Sequence, residues 1–262
     1  MSSTALITGA SEGIGKATAL LFAEKGYDLI ITARTKDKLE SVAEEIRSFG
    51  TQALAITTDV SDRSAVEALI NLGIERFSEI DVLINNAGIC MSAPMVKTTI
   101  EDWEKIINVN LWGYIHTIHT LLPHFLARKQ GNIINVGSFG GKVPLPNMTA
   151  YCTSKYAITG LTETLRIELE PQGIHVSGVH PSVTDTDFIK RAIFKDSDPE
   201  QMKQMLKSPL ASKPEDVAKA IWDAVKHPQA EVVVGSAKVP TFLHRLFPGV
   251  TQSMMEMANK AN

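Results

Sequence analysis

Residues 5–26 read ALITGASEGIGKATALLFAEKG, and this stretch decides the fold. ALIT is a short apolar run without polar alternation, as expected for a strand buried on both faces. GASEGIG follows at once, and Gly9, Gly13 and Gly15 open a segment of helical periodicity. That segment is predicted to bury Ile14, Ala17, Leu21 and Phe22 and to stop at Gly26, a C′ glycine. In a strand–turn–helix, glycines let the chain turn tightly and let backbone N–H groups approach a pyrophosphate. The helix N-terminus adds partial positive charge toward it. A tight βα turn without a ligand is the alternative reading of the same residues.

The rest of the chain repeats the alternation. Further apolar runs lie at Asp28–Ala33, Ala53–Thr57, Val82–Asn85, Asn132–Val136, His175–Val179 and Val232–Val234. Between them, helical patterns cover TKDKLESVAEEIRSFG, Asp62–Phe77, Ile100–Val109, Leu111–Arg128, Tyr151–Glu170 and Glu215–Lys226. This spacing implies parallel strands with right-handed crossovers and helices on both faces. The expected fold class is α/β, a Rossmann-type doubly wound parallel sheet of about seven strands, in a single domain over residues 1–262. Two regions break the rhythm. Pro181–Ser212 follows a strand, where open α/β sheets bind ligands, so residues 183–212 read as a substrate segment. The other is a Met-containing tail, Val239–Asn262, whose apolar character suits a pocket cover, an oligomer contact or a membrane surface.

Bulk composition excludes several functions. The chain has 262 residues, is 44% hydrophobic and 21% charged, and carries a net charge of −3. That is ordinary for a globular protein and offers no nucleic-acid footprint. No apolar run reaches the length of a membrane span. Cys90 and Cys152 are too few for a disulfide framework, and no leader pattern begins the chain, so a cytoplasmic location is expected.

A hydride delivered to a ketone leaves charge on the oxygen, and a proton must arrive there. A tyrosine can supply it, but its ordinary pKa of about 10 is too high for chemistry near neutrality. An adjacent ammonium lowers it. Tyr151 and Lys155 stand at i and i+4 on a predicted helix and so share a face. Ser138, at the end of the run NIINVGS, is placed to donate to a developing oxyanion. A surface pair and a turn serine are the plain alternatives.

In its motifs the sequence resembles the short-chain dehydrogenase/reductase family over nearly its whole length. TGASEGIG at Thr8–Gly15 resembles the cofactor turn of that family, which includes Gly9, Ser11, Glu12, Gly13, Ile14 and Gly15. Asp59 and Val60 match its adenine-contact position, and NNAG, with Asn86, Ala87 and Gly88, the motif after the fourth strand. Asn110, Ser138, Tyr151 and Lys155 fall where the family keeps its catalytic tetrad. HPSVTDT is similar to the segment that holds the nicotinamide carboxamide, with Pro181, Thr184 and Thr186. The resemblance implies that Lys155 also holds the cofactor ribose and that Asn110 binds a water linking Lys155 to solvent. It further implies a homodimer or homotetramer paired through the helices Leu111–Arg128 and Tyr151–Glu170. Two departures stand out: Ser182 replaces the usual glycine after Pro181, and Thr184 a hydrophobic residue.

The choice of dinucleotide follows from the end of the second strand. A carboxylate there would repel a 2′-phosphate. The strand DLIITART instead puts Ala33 at that place and Arg34 next, and Arg34 can pair with a phosphate. This favours NADP(H). Glu12, where many NADP-linked relatives carry a cation, argues the other way and keeps NAD(H) open. The expected function is hydride transfer between NADP(H) and a ketone or secondary alcohol, a fairly apolar small molecule. A 3-oxoacyl-thioester reductase is the rival within enzymes, and Lys190, Arg191 and Lys195 are the candidates for contacting an acyl carrier. A catalytically silent dinucleotide sensor is the rival outside them. His116 and His119 stand at i and i+3, but no third ligand accompanies them, so no metal is expected. Cys90 is a candidate lining residue of the substrate cleft, and Cys152 a packing residue.

Overall fold

The structure, a computed structural model, describes residues 2–184, 186, 188, 192–196 and 211–260. Strands β1 (Thr4–Thr8), β2 (Asp28–Ala33), β3 (Ala53–Thr57), β4 (Val82–Asn85), β6 (Gly131–Val136), β7 (Ile174–Pro181) and β9 (Glu231–Val234) form one seven-stranded sheet. Its order is β3-β2-β1-β4-β6-β7-β9 and every pairing is parallel. The seven apolar runs are these strands, to within a residue or two at each end. Their continuous apolar character has a simple cause. Ala5 and Ile7 of β1 belong to one core while Leu6 belongs to the other. The same alternation separates Leu29 and Ile31 from Ile30, and Val82 and Ile84 from Leu83. With a core on each side, a period of two still operates, but both phases are apolar.

Helices α1 (Gly13–Glu24), α2 (Lys36–Ser48) and α7 (Pro214–Lys226) cover one face, and α3 (Arg63–Phe77), α5 (Gly113–Arg128) and α6 (Thr149–Leu169) the other. Phe22, Tyr27 and Trp222 pin α1 to α7 as an edge-to-face trio with centroids 5.1–5.7 Å apart. Each such contact adds about 0.5–1.5 kcal/mol beyond burial. The buried face of α1 differs from expectation. It is Gly15, Thr18, Ala19, Phe22 and Ala23, whereas Ile14, Ala17 and Leu21 are only half buried. Thr18 can turn inward because its hydroxyl donates to the Ile14 carbonyl, 2.7 Å away.

Helix α4 (Ile100–Ile107) does not end before α5. A π turn, Asn108–Trp112, joins the two, so the predicted break is a widened turn instead. The Val239–Asn262 tail is helical rather than irregular: α8 spans Lys238–Leu246 and α9 spans Pro248–Lys260. Its prolines sit in first turns, where a missing N–H costs nothing. A second, two-stranded sheet pairs β5 (Met91–Ser92) with β8 (Ile193–Phe194). Most of the predicted substrate segment, including Lys190 and Arg191, lies outside the described residues.

A polar chain crosses the interior. Thr117 donates to Asn85 (2.6 Å), Asn85 to Asn135 (3.0 Å), Asn135 to Thr162 (2.9 Å) and Thr162 to the Ile158 carbonyl (2.6 Å). It ties α5, β4, β6 and α6 together just below the strand ends. All four side chains are buried, so each depends on its neighbours for hydrogen bonds. Asn135→Leu is expected to cost about 2–4 kcal/mol, because it orphans two buried polar groups. In urea unfolding the midpoint should fall with the slope unchanged.

Candidate active site

The chain runs β1 to β2 to β3 in one direction and then returns to build β4, β6, β7 and β9 on the other side of β1. The switch point is the β1–β4 boundary, where a crevice opens beyond the carboxyl ends of the strands. A cleft of about 710 Å³ lies there. Of the predicted cofactor residues, Gly9, Ser11, Glu12, Gly13, Ile14, Arg34, Asp59, Val60, Asn86, Ala87 and Gly88 line it. So do Ser138, Tyr151, Lys155, Pro181, Thr184 and Thr186. Gly15 and Asn110 are absent from the lining, and each has a structural explanation.

At the glycine end, Gly9 and Gly13 adopt left-handed φ of +68° and +56°. Gly15 packs so closely that a Cβ there would come 2.2 Å from the Gly9 carbonyl oxygen. Asn86 fastens the turn from outside, its side-chain Nδ2 donating to the Thr8 and Gly9 carbonyls at 3.0 and 3.2 Å. Thr8 Oγ1 answers by accepting from the backbone N–H groups of Asn86 (2.9 Å) and Ala87 (3.0 Å). Thr8 does not line the cleft but positions the turn, a role that sequence reasoning misses; its only signal is its place at the end of β1. Glu12 stands at the N-cap of α1 without capping it, so the first-turn N–H groups face the cleft uncapped by a side chain. These features suit an anionic diphosphate.

Glu12, read from sequence as a possible repellent, forms an ion pair with Lys38 at 2.8 Å. Arg34 is exposed at the rim and has no hydrogen bond or ion pair among the described residues. Asp59 accepts from the N–H and hydroxyl of Ser61 at 3.0 and 2.7 Å, which fixes its loop against the cleft.

At the other end, β6 delivers Ser138 and α6 delivers Tyr151 and Lys155. Ser138 Oγ accepts from the Gly140 N–H at 3.1 Å, which leaves its proton free to donate. It hydrogen-bonds the Tyr151 side chain. Burial pushes the Tyr151 hydroxyl up, the thiol of Cys90 adds to the rise, and the Ser138 bond pulls it back. Lys155 Nζ donates to the Val136 carbonyl at 3.0 Å and sits 5.9 Å from the centre of the Tyr151 ring. Burial drives its pKa down to about 8. The spacing predicts a Tyr151 pKa lowered by Lys155; here burial sets the direction instead, raising the phenol and lowering the ammonium.

Asn110 sits in the π turn, fully buried. Its Oδ1 accepts from the Ile89 N–H (2.8 Å), and its Nδ2 donates to the Ile89 carbonyl (2.9 Å) and Ser154 Oγ (3.0 Å). The amide is thus committed to holding the NNAG segment in place. Gly88 lies between Asn110 and Lys155: a Cβ on it would stand 3.3 Å from Asn110 Oδ1 and 3.8 Å from Lys155 Nζ.

The lining around Tyr151 is mostly apolar, with Cys90, Leu145, Met148, Phe188 and Met255. Phe188 is 6.4 Å from the Tyr151 ring, and burial raises Cys90 to about 12, so it is an inert wall. Ser182 turns its hydroxyl onto Ser212, 2.8 Å away. Thr184 bonds back to the Ser182 carbonyl at 3.0 Å, and Thr186 lies against Gly13. His180, buried behind Ser138 between Gly137 and Gly178, is lowered to about 3 by burial and the Lys142 ammonium, so it stays neutral. Among the described residues no group of three His, Cys, Asp or Glu is placed to hold a metal, and His116 spends Nδ1 on the Val60 carbonyl at 3.1 Å. No described helix is long and apolar enough to cross a membrane.

A doubly wound sheet with an uncapped glycine turn at its switch point, and a buried Tyr–Lys pair beside a half-buried serine beyond it, defines a nicotinamide-dinucleotide oxidoreductase. The short chain dehydrogenase family model matches residues 3–197, and the chain belongs to that family. It is 35% identical over 220 residues to the 3-oxoacyl-(acyl-carrier-protein) reductase FabG of Thermotoga maritima, covering 82% of this chain and 87% of that one. A short-chain dehydrogenase/reductase of Burkholderia phymatum in complex with NAD superimposes with a TM-score of 0.82 at 26% identity, over 88% of each chain. A short-chain dehydrogenase of Sphingobium yanoikuyae in complex with NADPH does so with a TM-score of 0.79 at 28% identity, over 97% of this chain and 95% of that one.

Proposed function

We propose that the chain interconverts a fairly apolar ketone and its secondary alcohol with NADP(H). The observation that carries this reading is one cleft with two unlike ends. At one end is a cradle for an anion with the exposed Arg34 guanidinium, unpaired among the described residues, at its rim, and at the other a Ser138–Tyr151 hydroxyl pair among apolar walls. NADP(H), when bound, supplies or accepts the hydride. Gly9, Gly13 and the first turn of α1 would hold its diphosphate, Asp59 and Val60 its adenine end, and Arg34 its 2′-phosphate. Ser138 donates to the carbonyl oxygen and fixes its position. Tyr151 gives its hydroxyl proton to that oxygen in reduction and recovers it in oxidation. Lys155 stabilises the phenolate and exchanges the proton onward from Nζ.

The Glu12–Lys38 ion pair supports the NADP(H) half of the proposal, because a carboxylate already paired to an ammonium repels a phosphate far less. Arg34→Ala is expected to raise KM for NADPH about tenfold to a hundredfold while leaving KM for NADH nearly unchanged. Steady-state kinetics with both cofactors checks this. Equal loss for the two would assign NAD(H) instead.

The likeness to FabG favours a second reading, a 3-oxoacyl-thioester substrate. The described lysines beside the substrate segment argue against an acyl-carrier dock there. Lys195 is paired with Asp102, and Lys97 with Asp196 at 2.7 Å. Assays of ketones, diketones and acyl thioesters side by side decide between the two, and a protein that binds NADPH but oxidises it with none of them is the silent sensor. Pairing of subunits through α5 and α6, with Trp112, Tyr156 and Ile167 exposed on and beside those helices, belongs to the same proposal, as does a cytoplasmic location.

A further inference from the structure

Helix α8 carries Val239, Phe242, Leu243 and Leu246 at i, i+3, i+4 and i+7, the spacing by which a helix normally turns its apolar stripe to a core. Here the stripe faces solvent, and Phe242 is 62% exposed. The half-buried side of α8 is instead Pro240, Thr241 and His244, and His244 Nδ1 is hydrogen-bonded to the buried Thr251 of α9 at 2.5 Å. The pattern repeats in α9. Val250, Met254 and Met257 point outward, Met257 being 64% exposed, while Met255 reaches into the cleft. Phe247, at the corner between the helices, is exposed as well. Two successive helices are thus amphipathic the wrong way round for a free surface.

The charge on this unit is one-sided. Helix α8 has no carboxylate, and the single acid of the unit is Glu256 of α9, which accepts from Gln252 at 3.2 Å, whereas Lys238 and Arg245 lie exposed beside the apolar stripe, in a chain whose net charge is −3. We propose that α8 and α9 dock the protein onto an anionic lipid surface, the apolar stripe entering the boundary between headgroups and acyl chains and Lys238 and Arg245 meeting lipid phosphates. A helix pair with apolar residues on one face and cations at its border is the chemistry that lies on, rather than spans, a bilayer. A second copy of the chain is the poorer occupant. A two-fold contact through this face would bring Lys238 and Arg245 of both copies together, with Glu256, already hydrogen-bonded to Gln252, as the one acid of each copy's α8–α9 unit. The inner side of the same unit supplies Met255 to the cleft wall, so docking sets the cleft beside the lipid. That an apolar ketone is drawn from it rests on the function proposed above, whereas lipid binding itself does not.

The test is co-sedimentation of the full chain with phosphatidylcholine vesicles with and without phosphatidylglycerol. Binding is expected on the mixed vesicles, weakening as salt is raised. The double substitution Phe242→Glu/Phe247→Glu should cut the partition about tenfold or more. Lys238→Gln/Arg245→Gln, which alters no packed side chain, should abolish the preference for phosphatidylglycerol. Both variants should keep the wild-type circular dichroism and turnover of a water-soluble ketone. Wild-type protein that stays with the supernatant overturns the proposal, as does binding that neither variant reduces. A dimer in solution that Phe242→Glu/Phe247→Glu dissociates, without vesicle binding, assigns the face to a second copy instead. Vesicle binding needs no turnover, so its failure leaves the reaction assignment standing.

Discussion

Tyr151→Phe is expected to lower kcat about 10²–10⁴-fold in either direction while leaving dinucleotide binding largely intact. The substitution removes one oxygen and little else. The ring is buried, faces Phe188 at 6.4 Å and lies 5.9 Å from Lys155 Nζ, and none of these contacts needs the hydroxyl. Lys155 keeps its bond to the Val136 carbonyl. What disappears is the hydroxyl, hydrogen-bonded to Ser138, that in the proposed mechanism gives a proton to the substrate oxygen. Single-turnover kinetics and a fluorescence titration with NADPH separate the two effects. In the oxidation direction the wild-type rate should climb with pH through the alkaline range. Burial holds the phenol above its ordinary value, so the competent phenolate gains population only as pH rises. Wild-type turnover in the Tyr151→Phe variant would remove Tyr151 from the mechanism.

The second large effect is on the glycine turn. Gly15→Ala is expected to lower stability by about 2–4 kcal/mol and to weaken NADPH binding strongly. The added Cβ would meet the Gly9 carbonyl oxygen at 2.2 Å, the Gly9 carbonyl carbon at 2.8 Å and Asn86 Nδ2 at 2.7 Å. Two of these atoms are backbone, in the turn directly after β1, so the clash cannot be relieved by a rotamer change. Helix α1 must move away from the very turn whose N–H groups face the cleft. Gly160→Ala is the control. It lies exposed in α6 with nothing within 4 Å of an added Cβ, and the same substitution there should stabilise by about 0.5–1 kcal/mol through helix propensity. Thermal unfolding of the two variants should therefore shift in opposite directions. If Gly15→Ala unfolds at the wild-type temperature and binds NADPH normally, the tight approach of α1 to β1 is not needed.

Much of this is legible in the sequence because the physics is local. The seven strands announce themselves as Val- and Ile-rich runs, since burial on both faces leaves no polar phase. Tyr151, Lys155 and Ser138 are readable because helical spacing and strand ends place them together. The turn is readable because left-handed φ at Gly9 and Gly13 demands glycine. The parts that escape depend on distant contacts. Strands β5 and β8 are two residues each and carry no period. Thr18 faces inward only because its own helix satisfies its hydroxyl, which the apolar periodicity of α1 does not show. Helices α8 and α9 are hidden by prolines that look like breakers but occupy first turns. Met255 lines the cleft, in keeping with the pocket cover that is one of three roles open to the apolar tail, but nothing in the sequence singles out that residue. Asn110 is readable as a position but not as a contact: its commitment to Ile89 follows from a π turn that residue patterns do not reveal.

The Thr117–Asn85–Asn135–Thr162 chain has a consequence for how this sequence can drift. Each member both satisfies and is satisfied by a neighbour, so exchanging one alone strands a buried donor or acceptor on another element. Exchanging adjacent members together for apolar residues of matched volume avoids that penalty. Single-step paths through this part of the molecule are therefore steep, and double steps are shallow. The four positions form a block that changes jointly or stays as it is, and the strand ends that carry the cleft inherit that inertia.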